Sequence, residues 1–128
     1  QLGYDYSVSP KTVLNLIASS DINESVWGYN AYYNSYNFYT SLTHHLTYNL
    51  DVNINGVYLL SAYPHEVNTV QGMLKRNDNL YGAGTRISYY LRTWLSTYAG
   101  YDFKYRNSNI RDVQYTDNII SGGLKLSF

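Results

Sequence analysis

Asp102, Lys104 and Arg106 occupy alternate positions in LSTYAGYDFKYR, residues 95–106. Residues two apart in a β-strand point the same way, so these three charges would share one face. Asp5, Asp51, Arg86 and Lys125 fall on the polar side of their own alternating stretches. Together the seven could tune passage of a charged solute, and the run Asp102, Lys104, Arg106 is the best local candidate for a solute contact. Mixed signs on neighbouring strands also suit a plainer role, in which the side chains satisfy one another across the sheet. His44-His45 invites a metal reading, but adjacent strand residues point to opposite faces, so the two imidazoles cannot close on one ion. His65-Glu66 has no third ligand nearby in sequence. There is no nucleophile elbow and no paired-carboxylate spacing. Gly82-x-Gly84 leads into a strand, whereas a phosphate cradle opens a helix; these glycines instead leave room in a wall or ease its bending. The residues point away from an enzyme and imply no cofactor and no metal.

Strands must position these groups, because period-2 alternation dominates the chain. In residues 48–63, Tyr48, Leu50, Val52, Ile54, Gly56, Tyr58, Leu60 and Ala62 alternate with a side that begins Asn49, Asp51, Asn53, Asn55. Residues 80–91 and 95–106 repeat the pattern, and weaker versions occur at 2–9, 12–21 and 35–46. The last stretch, NIISGGLKLSF, sets Ile120, Gly122, Leu124, Leu126 and Phe128 against Ile119, Ser121, Gly123, Lys125 and Ser127. That makes seven strands. Short turns are expected around Ser9-Pro10-Lys11, His45-Leu46-Thr47 and Leu91-Arg92-Thr93. Residues 22–34, 64–79 and 107–117 read as long polar loops carrying Glu24, His65, Glu66, Lys75, Arg76, Asp78, Arg111, Asp112 and Asp117. Short and long connections alternate, so an up-and-down sheet has all its short turns at one end.

The 128 residues amount to one domain, 1–128, with zero formal net charge, and no strong field recruits nucleic acid. Only 14% of residues are charged, against about 25% in typical soluble domains. Cysteine is absent, which excludes disulfide and thiolate chemistry. QLGYDYSVSP lacks the basic start and apolar core of a signal peptide. Two architectures share this alternation: a soluble β-sandwich buries its oily face against a second sheet, and a transmembrane barrel turns it to lipid. The strands reach the ~10 residues that cross a bilayer at a tilt, and their polar faces favour small uncharged groups. Aromatics gather at both strand ends. Trp27, Tyr29, Tyr32, Tyr33, Tyr36, Tyr63, Tyr81, Tyr105 and Tyr115 mark the long-loop end, and Tyr48, Tyr89, Tyr90, Trp94 and Phe128 the short-turn end. Such girdles belong at membrane interfaces. The expected fold is all-β: an antiparallel up-and-down transmembrane β-barrel in contact with the lipid bilayer of a bacterial outer membrane. Seven is an odd count, and single-chain bacterial barrels have even counts. The seven strands are therefore expected to be the C-terminal part of a larger barrel, with a miscounted strand or a barrel assembled from several chains as the other solutions.

Three stretches, DYSVSPKTVLNLIASSDINES, YGAGTRISYYLRTWLSTYAGYDFKYRNSN and VQYTDNIISGGLKLSF, resemble the C-terminal hairpins of the outer-membrane β-barrel porins found with exopolysaccharide export and exosortase systems. Ser9-Pro10-Lys11-Thr12, Arg106-Asn107-Ser108-Asn109 and Tyr115-Thr116-Asp117-Asn118 carry the likeness. The resemblance implies a passive pore for solutes or exported polysaccharide, and the alternation would line it with Asp51, Arg86, Asp102, Lys104, Arg106 and Lys125. Partners would be the outer-membrane assembly machinery and polysaccharide export components. Ile120, Leu124, Leu126 and Phe128 are similar to the C-terminal signal that this machinery reads. Two other readings stand beside it. One is a soluble Tyr-rich all-β carbohydrate-binding module, suggested by WGYNAYYNSYNFY at residues 27–39, and the other is a structural barrel with a plugged lumen.

Overall fold

The computed structural model describes residues 1–25, 32–69 and 72–127. Seven strands follow one another: β1 (Leu2–Ser9), β2 (Thr12–Glu24), β3 (Tyr32–Thr47), β4 (Leu50–Thr69), β5 (Gly72–Arg92), β6 (Leu95–Ser108) and β7 (Tyr115–Leu126). They form one antiparallel sheet in chain order, each strand pairing with its neighbours in sequence. A 3-10 turn at Arg111–Val113 stands before β7, and the described residues contain no α-helix. The sheet is open: β1 pairs only with β2 and β7 only with β6.

The expected loop at 64–79 is mostly strand. β4 runs on to Thr69 and β5 begins at Gly72, so the two strands reach 20 and 21 residues. Asn, Asp, Arg and Lys gave this stretch a loop composition, but they continue the ladder, with Glu66 opposite Lys75 and Ala62 opposite Asn77. A bulge between Ala62 and Glu66 absorbs the extra residues. The other two long connections are also shorter than expected, since β2 extends to Glu24, β3 starts at Tyr32 and β6 reaches Ser108. The part of the 22–34 connection holding Trp27 and Tyr29 lies outside the described residues, as does Phe128.

Burial is inverted relative to a soluble domain. Among the described residues no hydrophobic side chain is buried, and the buried polar ones are Ser35, Ser61, Arg76, Asp78 and Ser108. All five stand on the polar face, as their registers show (Ser35 opposite Ser61, Ser61 opposite Asp78, Asp78 opposite Ser108). The apolar face is bare instead: Leu16, Phe38, Leu42, Ile54, Ile87, Ile120, Leu124 and Leu126 are all exposed. Glycines mark the direction of curvature. A methyl group added at Gly82, Gly84, Gly100 or Gly123, all on the polar face, would come within 3.0 Å of a neighbouring side chain. The sheet therefore curls with its polar face inward and its apolar face outward.

The three short turns are built alike. Their two-residue tips are Pro10-Lys11, Tyr48-Asn49 and Thr93-Trp94, the second starting two residues and the third one residue beyond its expected centre. One extra residue precedes each tip, because the register shifts between Ser7 and Ser9, His45 and Thr47, and Tyr90 and Arg92. No non-glycine residue described has a positive φ, which excludes the type I′ and II′ hairpin turns. The bulge supplies the twist that those turns would otherwise give. Its extra residue is apolar and exposed each time: Val8, Leu46 and Leu91. Backbone bonds then tie each tip to the next hairpin, with the amides of His45, Tyr90 and Ser127 donating to the carbonyls of Lys11, Asn49 and Trp94 at 2.8, 2.8 and 2.9 Å.

Register fixes the lean of the strands. Thr12 lies one residue past its turn, and its partner His44 lies four residues before the next turn. Leu50 and Tyr89 repeat the relation, one residue past a turn and four before the next. Each hairpin is thus offset by two ladder steps, with the bulge adding a third residue along β3 and β5, or about 7–10 Å across two strand spacings of about 9.6 Å in all. With the turns at one level, the strands tilt by roughly 35–45°, as barrel closure requires. On the outer face Phe38, Tyr58, Tyr81 and Tyr105 form one cross-strand row, with ring centroids 6.3, 5.2 and 6.4 Å apart. They stand nine to twelve residues from the short turns. At this tilt that is about 21–32 Å above them, a range that contains the ~25 Å apolar band of a membrane barrel.

Candidate functional site

The inner face carries the chemistry. Asp5, Asn15, Ser41, Asn55, Gly84 and Asp102 line up as a single row across six strands. Below it, toward the turns, run Ser7, Val13, Thr43, Asn53, Arg86, Gly100 and Ser121. Asn53 donates to Ser41 Oγ at 2.8 Å and to Thr43 Oγ1 at 2.9 Å, and Asn15 donates to Asp5. Amides and hydroxyls therefore satisfy much of this surface without charge.

All seven candidate charges lie on this face but do not form one cluster. Asp51 is held by His45 Nδ1 at 2.6 Å. Arg86 lays its guanidinium over the Tyr98 ring, 5.0 Å from the centroid, and Arg106 does the same over Tyr115 at 5.1 Å. Lys104 stands opposite Asp117 in the β6–β7 register. The run Asp102, Lys104, Arg106, which sequence marked as a single solute contact, thus divides among three neighbourhoods. Asp102 joins Arg86, Asn53, Asn55, Thr85 and Tyr39 around a cavity of about 250 Å³. Lys125 lines a separate cavity near the third turn.

His44 and His45 face opposite ways, as strand geometry requires. His44 Nδ1 meets Thr12 Oγ1 at 2.8 Å on the outer side, and His45 meets Asp51 on the inner. Among the described residues no group of three or more His, Cys, Asp or Glu side chains gathers as a metal site would.

Sequence reasoning missed the most buried charges. Arg76 and Asp78, assigned to a loop, stand on β5 at 3% and 4% exposure. Arg76 donates Nε to both carboxylate oxygens at 3.0 Å and Nη2 to Oδ2 at 2.5 Å. Its guanidinium also covers Tyr63 at 4.7 Å, and Tyr63 stacks on Tyr33 at 5.0 Å. The signal was present: Arg76 and Asp78 continue the even-numbered inner series of Leu80, Gly82, Gly84 and Arg86.

An open curled sheet with a polar inside and a bare apolar outside, about one bilayer tall, defines a class: the wall of a membrane β-barrel. The family model described as "Putative beta-barrel porin 2" matches residues 5–128, and the chain belongs to that family. Membership of a β-barrel porin family places it in a membrane. No curated protein and no solved structure matches the chain.

Proposed function

We propose that the chain forms part of the wall of a passive pore in the bacterial outer membrane, with Asp51, Arg86, Asp102, Lys104, Arg106 and Lys125 facing its aqueous lumen. The observation that carries this reading is the inverted burial, with a bare apolar band of bilayer height outside and hydrogen-bonded amides inside. Backbone groups in lipid must be paired, so the free edges of β1 and β7 meet further strands, of this chain or of another copy, and close the cylinder. Exported polysaccharide is the cargo that the inner face favours. Tyr39 and the remaining faces of Tyr33 and Tyr115 offer stacking surfaces, and Asn15 and Asn55 offer donors and acceptors for hydroxyls. Ile120, Leu124 and Leu126 point outward along the free edge of β7. There they suit capture by the assembly machinery together with Phe128.

Reconstitution of the detergent-folded protein into planar bilayers tests the pore. Stepwise conductance that scales with bulk salt is the expected outcome. Folded, inserted protein without steps would overturn the pore and leave a plugged structural barrel.

A further inference from the structure

The geometry points to an anion-binding pocket on the inner face at the short-turn end, taking a carboxylate- or phosphate-bearing solute between Arg86, Arg92 and Lys125. It deepens the pore reading by naming the charge class of what passes. The cavity has a volume of about 310 Å³, lies between β5, β6 and β7 below the third turn, and has those three cations and no carboxylate in its lining. Elsewhere on the inner face Arg76 grips Asp78 and Lys104 faces Asp117, and Arg86 also borders a neighbouring cavity that Asp102 lines, so its acid lies on the side away from Lys125. Asp51, the inner-face carboxylate nearest the turns on β4, is engaged by His45.

Local sequence builds this pocket. Gly123 has no side chain, and a methyl group there would lie 2.9 Å from the Tyr98 ring. The ring therefore settles over the glycine and offers its face to Arg86, 5.0 Å from the centroid. Gly100, on the strand between, lies beside the same guanidinium, and a methyl group there would stand 2.9 Å from Ser121 Oγ. A stacked arginine keeps its edge donors free for a planar acid. Lys125 adds charge from β7 and Arg92 from the turn end of β5 itself, Ser88, Ser96 and Ser127 add hydroxyls, and Trp94 closes the turn side. Aromatic, cationic and hydroxyl groups together fit the acidic residue of a charged saccharide.

Trp94 is also the reporter. The chain has two tryptophans, so Trp27→Phe leaves Trp94 alone, and its fluorescence in the detergent-folded protein is titrated with oligogalacturonate, its methyl ester and inorganic phosphate. Saturable changes are expected with oligogalacturonate and phosphate, weakening with added salt, and none with the neutral ester. Arg86→Gln with Lys125→Gln should weaken binding tenfold or more, while Lys75→Gln at the opposite end leaves it unchanged. If the double variant does not fold, Arg92→Gln alone at the exposed turn should weaken binding about threefold. Equal response to acid and ester, or unaltered binding in the charge variants, would overturn the pocket. So would a response confined to phosphatidylglycerol micelles, because that would place the anion in lipid. Titrations that succeed where conductance fails overturn the pore and leave the pocket standing; the reverse overturns the pocket alone.

Discussion

The same seven strands pass through two environments, and their side chains follow different rules in each. Within about eleven residues of the short turns the outer face is apolar and bare, and the inner face mixes amides, hydroxyls, glycines and charges with a few aliphatic groups such as Val13, Ile17 and Val57. Beyond that height the β4–β5 hairpin projects with Asn77 and Asn79 on its outer side and the Arg76–Asp78 pair on its inner side. Hydrophobicity tracks contact with hydrocarbon, whereas burial tracks the inside of the curve. In a soluble domain the two coincide; here they separate, and the ion pair is the most buried charged group of either region.

Substitutions can break that contrast at graded cost. Asp78→Ala leaves Arg76 in its buried site without its carboxylate and should cost about 3–5 kcal/mol locally. Faster hydrogen exchange in the projecting β4–β5 hairpin, with the band unchanged, is the expected signature. Ile54 stands five residues past its turn on the outer face, near the middle of the apolar band. Ile54→Arg should destabilise the folded protein by about 2–4 kcal/mol, while Asn55→Arg, one residue on and facing inward, should cost much less; reversible urea titration in lipid vesicles compares them. If the two cost the same, the assignment of faces fails.

Smaller effects sharpen the picture. A Cβ at Gly84 would fall 2.3 Å from Asp102 Oδ1 and 2.9 Å from Asn55, so Gly84→Val should cost about 1–3 kcal/mol. Gly3→Val on the same face, with nothing within 4 Å, should be neutral, and the heat-modifiable shift of folded protein on gels separates the two. Tyr58 Oη donates to Asn79 at 2.7 Å on the outer face. Tyr58→Phe should lose about 1 kcal/mol, measured by the same urea titration.

Much of this was legible in the sequence because barrel strands write their faces at period two. Residues 48–63 alone separate Val52 and Ile54 from Asn53 and Asn55, and the structure keeps that separation. The placement of every candidate charge on the polar face followed from the same rule. What alternation could not show was the lateral company of each residue. Asp102, Lys104 and Arg106 look like one group along the chain, but their partners come from β4, β5 and β7. The extent of β4 and β5 was also hidden, because a hairpin beyond the bilayer has no reason to stay oily and so takes on the composition of a loop. The bulges went unread, although Ser7-Val8-Ser9, His45-Leu46-Thr47 and Tyr90-Leu91-Arg92 share an apolar residue between polar or amphipathic ones, one step before the tip.

The equal offset of successive hairpins has a geometric corollary. Since each unit contributes the same lean, inserting or deleting a whole unit would change circumference while leaving pitch untouched. A lineage could thus widen or narrow its channel in discrete increments, with the joints between old and new pieces already cut to fit.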